Sequence, residues 1–132
     1  MGPRQSKNST KNKVGIVTDP DMTLHRCEGG DHPERPERLT AIVDHLKQTK
    51  LLDRCTFINK LEECSDEHIR TLHPPKYVKY VKDLCKNYKE GETSSFDTYY
   101  NKFTDMCARK ALQGAKILAD KVMAGELQSG YG

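Results

Sequence analysis

Short apolar runs alternate along this chain with longer amphipathic stretches. Residues 14–18 (VGIVT) and 55–58 (CTFI) are runs typical of strands, and residues 129–132 (SGYG) resemble the first residues of a third strand. Pro20 ends the first run, because proline has no backbone N–H to donate. Strands that alternate with helices indicate an α/β fold with a mostly parallel sheet.

Three amphipathic stretches have the spacing of helices that bury one face, because their apolar residues recur at intervals of three and four. The predicted stripes are Leu39, Ile42, Val43 and Leu46; Tyr77, Tyr80, Val81 and Leu84; and Phe103, Cys107, Ala111, Ala115, Leu118 and Val122. Gly114, within the last stretch, predicts a close approach to a neighbouring element. Ser65 predicts the N-cap of a further short helix that ends near His73. Segments 19–33 and 89–99 are polar and are predicted to be loops.

The composition is lean for a domain that folds by itself. Of 132 residues, 35% are hydrophobic and 31% are charged, and the mean hydropathy is −0.82. We therefore expect this chain to be part of a larger domain. The net charge of +3 comes mainly from residues 1–13, which hold four cations and no acid. This segment is predicted to be a disordered basic tail, and residues 14–132 a partial domain.

Composition also restricts the partners and the location of the chain. No apolar run approaches the length of a signal peptide or a membrane span, so no membrane partner is predicted. A basic tail without interleaved aromatic residues favours a solubilising role over specific nucleic-acid binding. The five cysteines occur at wide, irregular spacing, which predicts reduced thiols in the nucleus or the cytoplasm.

The residues that could carry chemistry form no recognisable catalytic set. His25, Cys27 and His32 are close in sequence but lack the paired spacing of a zinc site, so no metal ligand is predicted. Cys85 and Cys107 lie on apolar helix faces, where a free cysteine usually belongs to the core. No residue of this chain is predicted to be catalytic.

The segment GGDHPERPERL, residues 29–39, is stiff and polar and stands directly ahead of a predicted helix. Its central part, HPERPER at residues 32–38, resembles the first substrate-rim loop of class II histone deacetylases. The similarity continues in order through GIVTDPDMTLHRC, LEECSDEHIRTLHPPKYVKYV, the second rim loop SSFDTYY and the long last helix. The class IIb branch is the most similar.

This resemblance implies an arginase-deacetylase fold, which is a parallel sheet flanked by helices, with only its N-terminal part in this chain. Family members hydrolyse the acetyl amide of lysine with a zinc-bound water. Their zinc ligands and catalytic histidines belong to motifs that this sequence does not contain. Zinc is therefore expected in the intact family domain and not in this chain, which we expect to be inactive alone.

The residues that the resemblance carries over lie at the substrate rim. His32 and Pro33 match the loop that forms one wall of the acetyl-lysine tunnel, where stiff prolines keep the wall from collapsing. Thr98 matches the position whose side chain accepts the substrate backbone N–H, which is usually serine or aspartate in the family. Asp97, beside it, is a second candidate for this rim.

Arg38 has two open interpretations. It matches a family arginine that lines an inner channel linked to acetate release. The plain alternative is an arginine at the start of a helix, paired with an acid such as Glu34. The two roles are compatible.

Two functions from different classes remain open. In the first, the chain belongs to a zinc-dependent deacetylase of acetylated lysine in proteins, histone or tubulin, and carries part of its substrate rim. In the second, it acts only by binding, by associating with another deacetylase chain or with a protein complex. Continuation of the reading frame into a paired-histidine motif would favour the first.

Overall fold

A parallel sheet forms the centre of the computed structural model, which describes residues 13–90 and 97–132. Within these ranges, β1 (Val14–Val17) lies between β2 (Thr56–Ile58) and β3 (Ser129–Tyr131). Gly15 is opposite Thr56 on one side and Gly130 on the other. The predicted strands and their parallel arrangement are confirmed. The basic tail, apart from Lys13, and residues 91–96 of the second predicted loop lie outside the described residues.

Helices connect the strands. They are α1 (Glu37–Gln48), α2 (Asp66–Ile69), α3 (Pro75–Lys86) and α4 (Thr104–Met123), and α4 packs on the sheet. The Ser65 hydroxyl accepts a hydrogen bond from the backbone N–H of His68, so the predicted N-cap is confirmed. No helix in the described part of the chain is both long enough and apolar enough to cross a bilayer.

The segment after β1 is more regular than predicted. A short 3-10 helix, Pro20–Leu24, occupies the first part of the predicted loop, and the Asp19 side chain caps it by accepting from the N–H of Asp21. A second 3-10 helix, Leu52–Arg54, precedes β2. Both were missed because turns of this length have no apolar period of their own.

The core lies between the sheet and α4. Val17, Leu61, Leu118 and Leu127 form its buried cluster. Gly114 lets α4 approach β1, because a Cβ at this position would stand 3.2 Å from methyl carbons of both Val17 and Leu61. The close approach predicted at Gly114 is confirmed.

Enlarging Gly114 should therefore destabilise the fold. We expect Gly114→Val to lower the free energy of unfolding by about 2 kcal/mol, because the added methyl groups overfill a packed core. Ala115→Val is the matched control on an exposed position of the same helix, where only helix propensity, about 0.5 kcal/mol, is lost. Urea unfolding of the two variants checks this, and equal effects at both positions would contradict the packing argument.

The buried face of α4 differs from the predicted stripe. Cys107 and Leu118 are buried as predicted, but Arg109 and Lys110 are buried with them. The predicted stripe is wrong for three positions that are exposed, namely Ala111, Ala115 and Val122. Arg109 and Lys110 can be buried because each of them pairs with a carboxylate inside the fold. Their side chains occupy the buried face on which the apolar pattern had placed alanines.

The tyrosines of α3 also lie on a different face from the predicted one. Tyr77 is 49% exposed and Tyr80 is 59% exposed, whereas Val78 and Cys85 are buried. The prediction that Tyr77 and Tyr80 belong to the core is wrong. Val78, Val81 and Cys85 repeat with the same helical period one residue further on, and these smaller side chains suit the contact with α4.

The stripe of α1 is only partly covered. Leu39, Val43 and Leu46 are half-buried and Ile42 is 43% exposed, and no residue of α1 is fully buried. The prediction that α1 packs this face on a core therefore holds only in part. The stripe faces a cavity of about 390 Å³.

The cysteines behave as predicted. All five are free, and Cys64, Cys85 and Cys107 are buried. Burial raises the pKa of the Cys85 and Cys107 thiols, which keeps them protonated and unreactive. The prediction that Cys85 and Cys107 belong to the core is confirmed.

Candidate functional site

Local contacts hold the first rim loop, residues 29–36. His32 is half-buried, and its Nδ1 accepts a hydrogen bond of 3.0 Å from the backbone N–H of Glu34. Pro33 is exposed, and Pro36 is the N-cap residue of α1. Two prolines and one internal hydrogen bond leave this loop few alternative conformations.

Arg38 forms the ion pair that was the plain alternative for this residue. Its Nη1 lies 2.5 Å from Oε2 of Glu34, one helical turn earlier. Both side chains are more than 60% exposed, at 64% and 61%. An exposed pair of this kind contributes on the order of 0.5 kcal/mol. The inner-channel role of Arg38 stays a prediction.

Tyr99 joins the first rim loop to residues 97–100, the described part of the second rim loop. Its hydroxyl donates to the backbone carbonyl of Glu34 at 2.9 Å. Its ring stacks on His25, with centroids 4.7 Å apart, and meets the His32 ring edge-on at 5.0 Å. The structure thus places His32 beside the segment that carries the exposed residues Asp97 and Thr98.

Asn101 anchors the second rim loop from inside, and sequence analysis missed it. It is 0% exposed, and its side-chain amide donates to the carbonyls of Leu24 and Arg26 at 2.7 and 3.1 Å. Its Oδ1 accepts from the backbone N–H of Phe103 at 2.9 Å. The available signal was local: asparagine just before a predicted helix often bonds the backbone two residues on.

His25 is a neutral member of this cluster. Its Nδ1 lies 2.9 Å from the hydroxyl of Thr104, at the start of α4. Burial lowers the pKa of His25 below its ordinary value, against the opposing effect of the Glu34 carboxylate. A neutral ring stacks on Tyr99 without bringing an unpaired charge into the rim.

Removing the Tyr99 hydroxyl tests the contact between the loops. We expect Tyr99→Phe to lower the free energy of unfolding by about 1 kcal/mol, because the Glu34 carbonyl loses its donor while the ring stack remains. It should also shift the ring resonances of His32, read by NMR. Tyr80→Phe, on an exposed tyrosine of α3, is the control and should leave both readouts unchanged. Unaltered His32 resonances in Tyr99→Phe would show that the hydroxyl does not set the loop geometry.

An ion-pair cluster joins α4 to the start of the 3-10 helix Pro20–Leu24. Lys110 Nζ lies 3.0 Å from Oδ2 of Asp19 and 2.6 Å from Oδ2 of Asp21. Burial alone would raise the pKa of Asp19, but bonds from the N–H groups of Asp21 and Leu61 and from Lys110 hold it below its ordinary value. The bond to Asp21, opposed by desolvation, raises the pKa of Lys110. Asp19 and Lys110 therefore both stay ionised near neutral pH.

The cavity beside α1 connects this rim to the sheet. His25, Glu34, Arg38 and Tyr99 line it, together with the α1 stripe and Tyr131 of β3. A cavity lined mostly by apolar side chains with a few polar groups is typical of small-molecule and side-chain binding sites.

The described residues do not fit a zinc site. Within residues 13–90 and 97–132, no three histidine, cysteine, aspartate or glutamate side chains cluster closely enough to hold a metal ion. The hydroxyl, carboxylate, imidazole and guanidinium groups around the cavity can donate and accept hydrogen bonds.

Similarity to known proteins identifies the class to which this chain belongs. Residues 32–131 match the histone deacetylase domain family, and the chain belongs to that family. The solved structure of the HDA15 HD domain has a TM-score of 0.80 and 27% sequence identity to this chain, and covers 90% of it. The predicted arginase-deacetylase fold class is therefore confirmed.

Two relatives show how much of a longer protein this chain matches. The chain is 36% identical over 124 residues to the human polyamine deacetylase HDAC10, covering 89% of this chain and 18% of that protein. It is 30% identical over 125 residues to histone deacetylase 5 of Arabidopsis thaliana, covering 90% of this chain and 19% of that protein. The chain thus spans about a fifth of the length of these relatives, and 34% of the solved HDA15 chain.

Proposed function

We propose that the domain containing this chain removes acetyl groups from lysine side chains of proteins, and that this chain forms part of the rim at which the substrate enters. The observation that carries the proposal is the contact of the two rim loops through Tyr99 in a chain of the histone deacetylase family. A rim closed by ring contacts and a hydrogen bond keeps its shape while a substrate enters.

We assign recognition roles to four rim residues. His32 and Pro33 form a wall of the entrance, supported by the bond from the Glu34 N–H to His32 and by proline stiffness. Thr98 and Asp97 supply oxygen acceptors for a backbone N–H of the substrate, supported by their exposure beside Tyr99. Arg38 lines the inner channel as well as pairing with Glu34, supported by its place in the cavity wall.

Zinc is proposed as the metal of the intact domain, as in the family that the chain resembles. Because no described cluster fits a metal, we propose that its ligands lie in other parts of that domain. The five free cysteines support a nuclear or cytoplasmic location, where thiols stay reduced.

An acetylated polyamine is the alternative substrate class. It is favoured by one observation, which is that a relative 36% identical to this chain is a polyamine deacetylase. A polyamine has no backbone N–H group that could donate a hydrogen bond to Thr98 or Asp97. The two substrate classes therefore make different demands on the second rim loop.

Substitution of Thr98 separates these substrates. In the protein encoded by the full reading frame, we expect Thr98→Ala to raise KM for an acetyl-lysine peptide about fivefold with a smaller change in kcat, because one hydrogen bond near the entrance is lost. KM for N-acetylspermidine should not change. Thr71→Ala, an exposed threonine at the end of α2, is the control. Turnover of acetylspermidine alone would overturn the lysine assignment.

Binding without catalysis is the second candidate function. It is favoured by the partly covered stripe of α1, which a partner chain would bury. Sequencing the transcript beyond the codon for Gly132 distinguishes the candidates. A frame that continues into a paired-histidine motif supports the enzyme, and a stop codon with a stable short product supports the binding role.

A further inference from the structure

A groove of about 370 Å³ lies between α3 and α4, and the proposed rim functions do not use it. Ile69, Val78, Val81 and Leu112 give it an apolar lining, and the His73 and Tyr77 rings border it. Two packed helices with a continuous apolar channel between them resemble the grooves that accept an amphipathic segment.

Large exposed apolar side chains line this groove or lie next to its lining residues in sequence. Leu72 is 88% exposed and Leu112 is 39% exposed, beside the half-exposed Tyr77 and Tyr80. The rings of His73, Tyr77 and Tyr80 follow one another along α3 with centroids 5.5 and 6.4 Å apart. Clustered exposed apolar groups of this size mark interaction surfaces, and tyrosine is enriched among residues that dominate binding energy.

Cations outnumber acids along the segment beside the groove. Residues 70–86 contain five cations and a single acid, Asp83, and Asp105 lines the groove itself. Arg70 and Lys82 pair with Asp66, and Lys79 pairs with Asp83, whereas Lys76 and Lys86 form no ion pair within the described residues. Positive charge at the edge of an apolar groove favours a partner that carries carboxylates beside its apolar side chains.

The floor of the groove adds a second polar feature. Arg109 lines it with a side chain only 5% exposed, which bonds to Asp66, Asp105 and the Cys64 carbonyl. The remaining nitrogen, Nη2, has no hydrogen-bond partner within the described residues.

We propose that this groove binds an acidic segment of another protein, with an apolar side chain of that segment between α3 and α4 and its carboxylates beside Lys76 and Lys79. The aliphatic lining of Ile69, Val78 and Leu112 fits a leucine or phenylalanine side chain better than a nucleobase, which would need polar groups along its edge. The proposal goes beyond the deacetylase function and does not depend on it.

Peptide display on the full chain tests this proposal. Random peptides displayed on phage are selected for binding to the immobilised chain. The same selection on the Tyr77→Ala variant is the comparison. We expect enriched sequences that combine several acids with one or two bulky apolar residues, and synthetic copies that bind with micromolar affinity. Enrichment of neutral or basic sequences, or equal recovery on Tyr77→Ala, would overturn the proposal.

Charge reversal distinguishes the groove from other surfaces. The double change Lys76→Glu with Lys79→Glu should weaken binding of the selected peptide about tenfold or more, whereas Lys47→Glu on α1 should leave it unchanged. Circular dichroism identifies any variant that fails to fold, and for such a variant Leu112→Glu gives a second test with the same expected loss. Tighter binding of an oligonucleotide than of the peptide at this groove, or self-association of the chain through it, would assign the surface to another occupant and contradict the proposal.

Discussion

Replacing Lys110 with methionine is expected to lower the free energy of unfolding by about 3–5 kcal/mol, the cost of removing one partner from a buried ion pair. Asp19 is 3% exposed, and its Oδ2 would lose the ammonium that lies 3.0 Å away. The two backbone N–H groups that bond to Asp19 remain, but they carry no net charge. Urea unfolding followed by circular dichroism measures the loss.

A surface pair on the same helix provides the matched control. Lys116 pairs with Asp120 at 2.6 Å, one turn apart, and both side chains are at least 40% exposed. Lys116→Met should therefore cost far less stability than Lys110→Met. Equal losses from Lys110→Met and Lys116→Met would show that burial of the first pair has no energetic consequence.

The pH dependence gives an independent check on the Lys110 cluster. The pKa of Asp19 lies below its ordinary value of 3.8, so its contribution to stability is present above about pH 4 and is lost as the pH falls through the folded-state pKa. The pKa of Lys110 lies above 10.5, so its contribution is present below that pH and is lost as the pH rises through the higher folded-state value. The stability difference between the natural chain and Lys110→Met should therefore be largest between these limits and shrink in acid.

Local patterns in the sequence predicted most elements of the fold. Short β-branched runs, a capping serine and the helical period of apolar residues each depend on neighbours a few positions away. The predicted stripe on α3 was wrong at Tyr77 and Tyr80, since the pairs Tyr77–Tyr80 and Val78–Val81 have equal spacing and only the facing helix decides which pair is buried. Periodicity predicts that a helix has a buried face, but the neighbouring elements determine which face is buried.

The contacts that build the site join residues far apart in sequence, so local patterns did not predict them. Asp19 and Lys110 are 91 residues apart in sequence, and Tyr99 reaches a carbonyl 65 residues earlier. Resemblance to a family pointed to His32 and Thr98 as rim residues, but the residues that hold the rim together are Tyr99 and Asn101. Side chains that support other residues carry no motif, because many combinations of residues can fill the same supporting role.

Asn101→Ala is expected to lower the free energy of unfolding by about 3 kcal/mol and to loosen the whole rim. The change deletes two donors and one acceptor from a site with no solvent exposure, so the carbonyls of Leu24 and Arg26 lose their donor inside the protein. Because Asn101 follows Tyr99 by two residues, its loss should also weaken the contacts of the Tyr99 ring. Urea unfolding gives the energy, and hydrogen exchange of the Glu34 amide reports on the first rim loop.

Asn87→Ala is the control, because it removes an exposed asparagine instead of the buried Asn101. Asn87 is exposed at the C-terminal end of α3, and its side chain donates one hydrogen bond to the Asp83 carbonyl at 2.8 Å. Water replaces that bond, so the expected cost is about 0.5 kcal/mol with no change in the exchange of the Glu34 amide. If Asn101→Ala destabilised the chain without faster exchange at Glu34, Asn101 would stabilise the fold alone, and Tyr99 would hold the rim loops together without it. Faster exchange at Glu34 in Asn101→Ala together with slow exchange in Asn87→Ala would show that one buried amide holds both loops in the geometry on which the proposed substrate contacts depend.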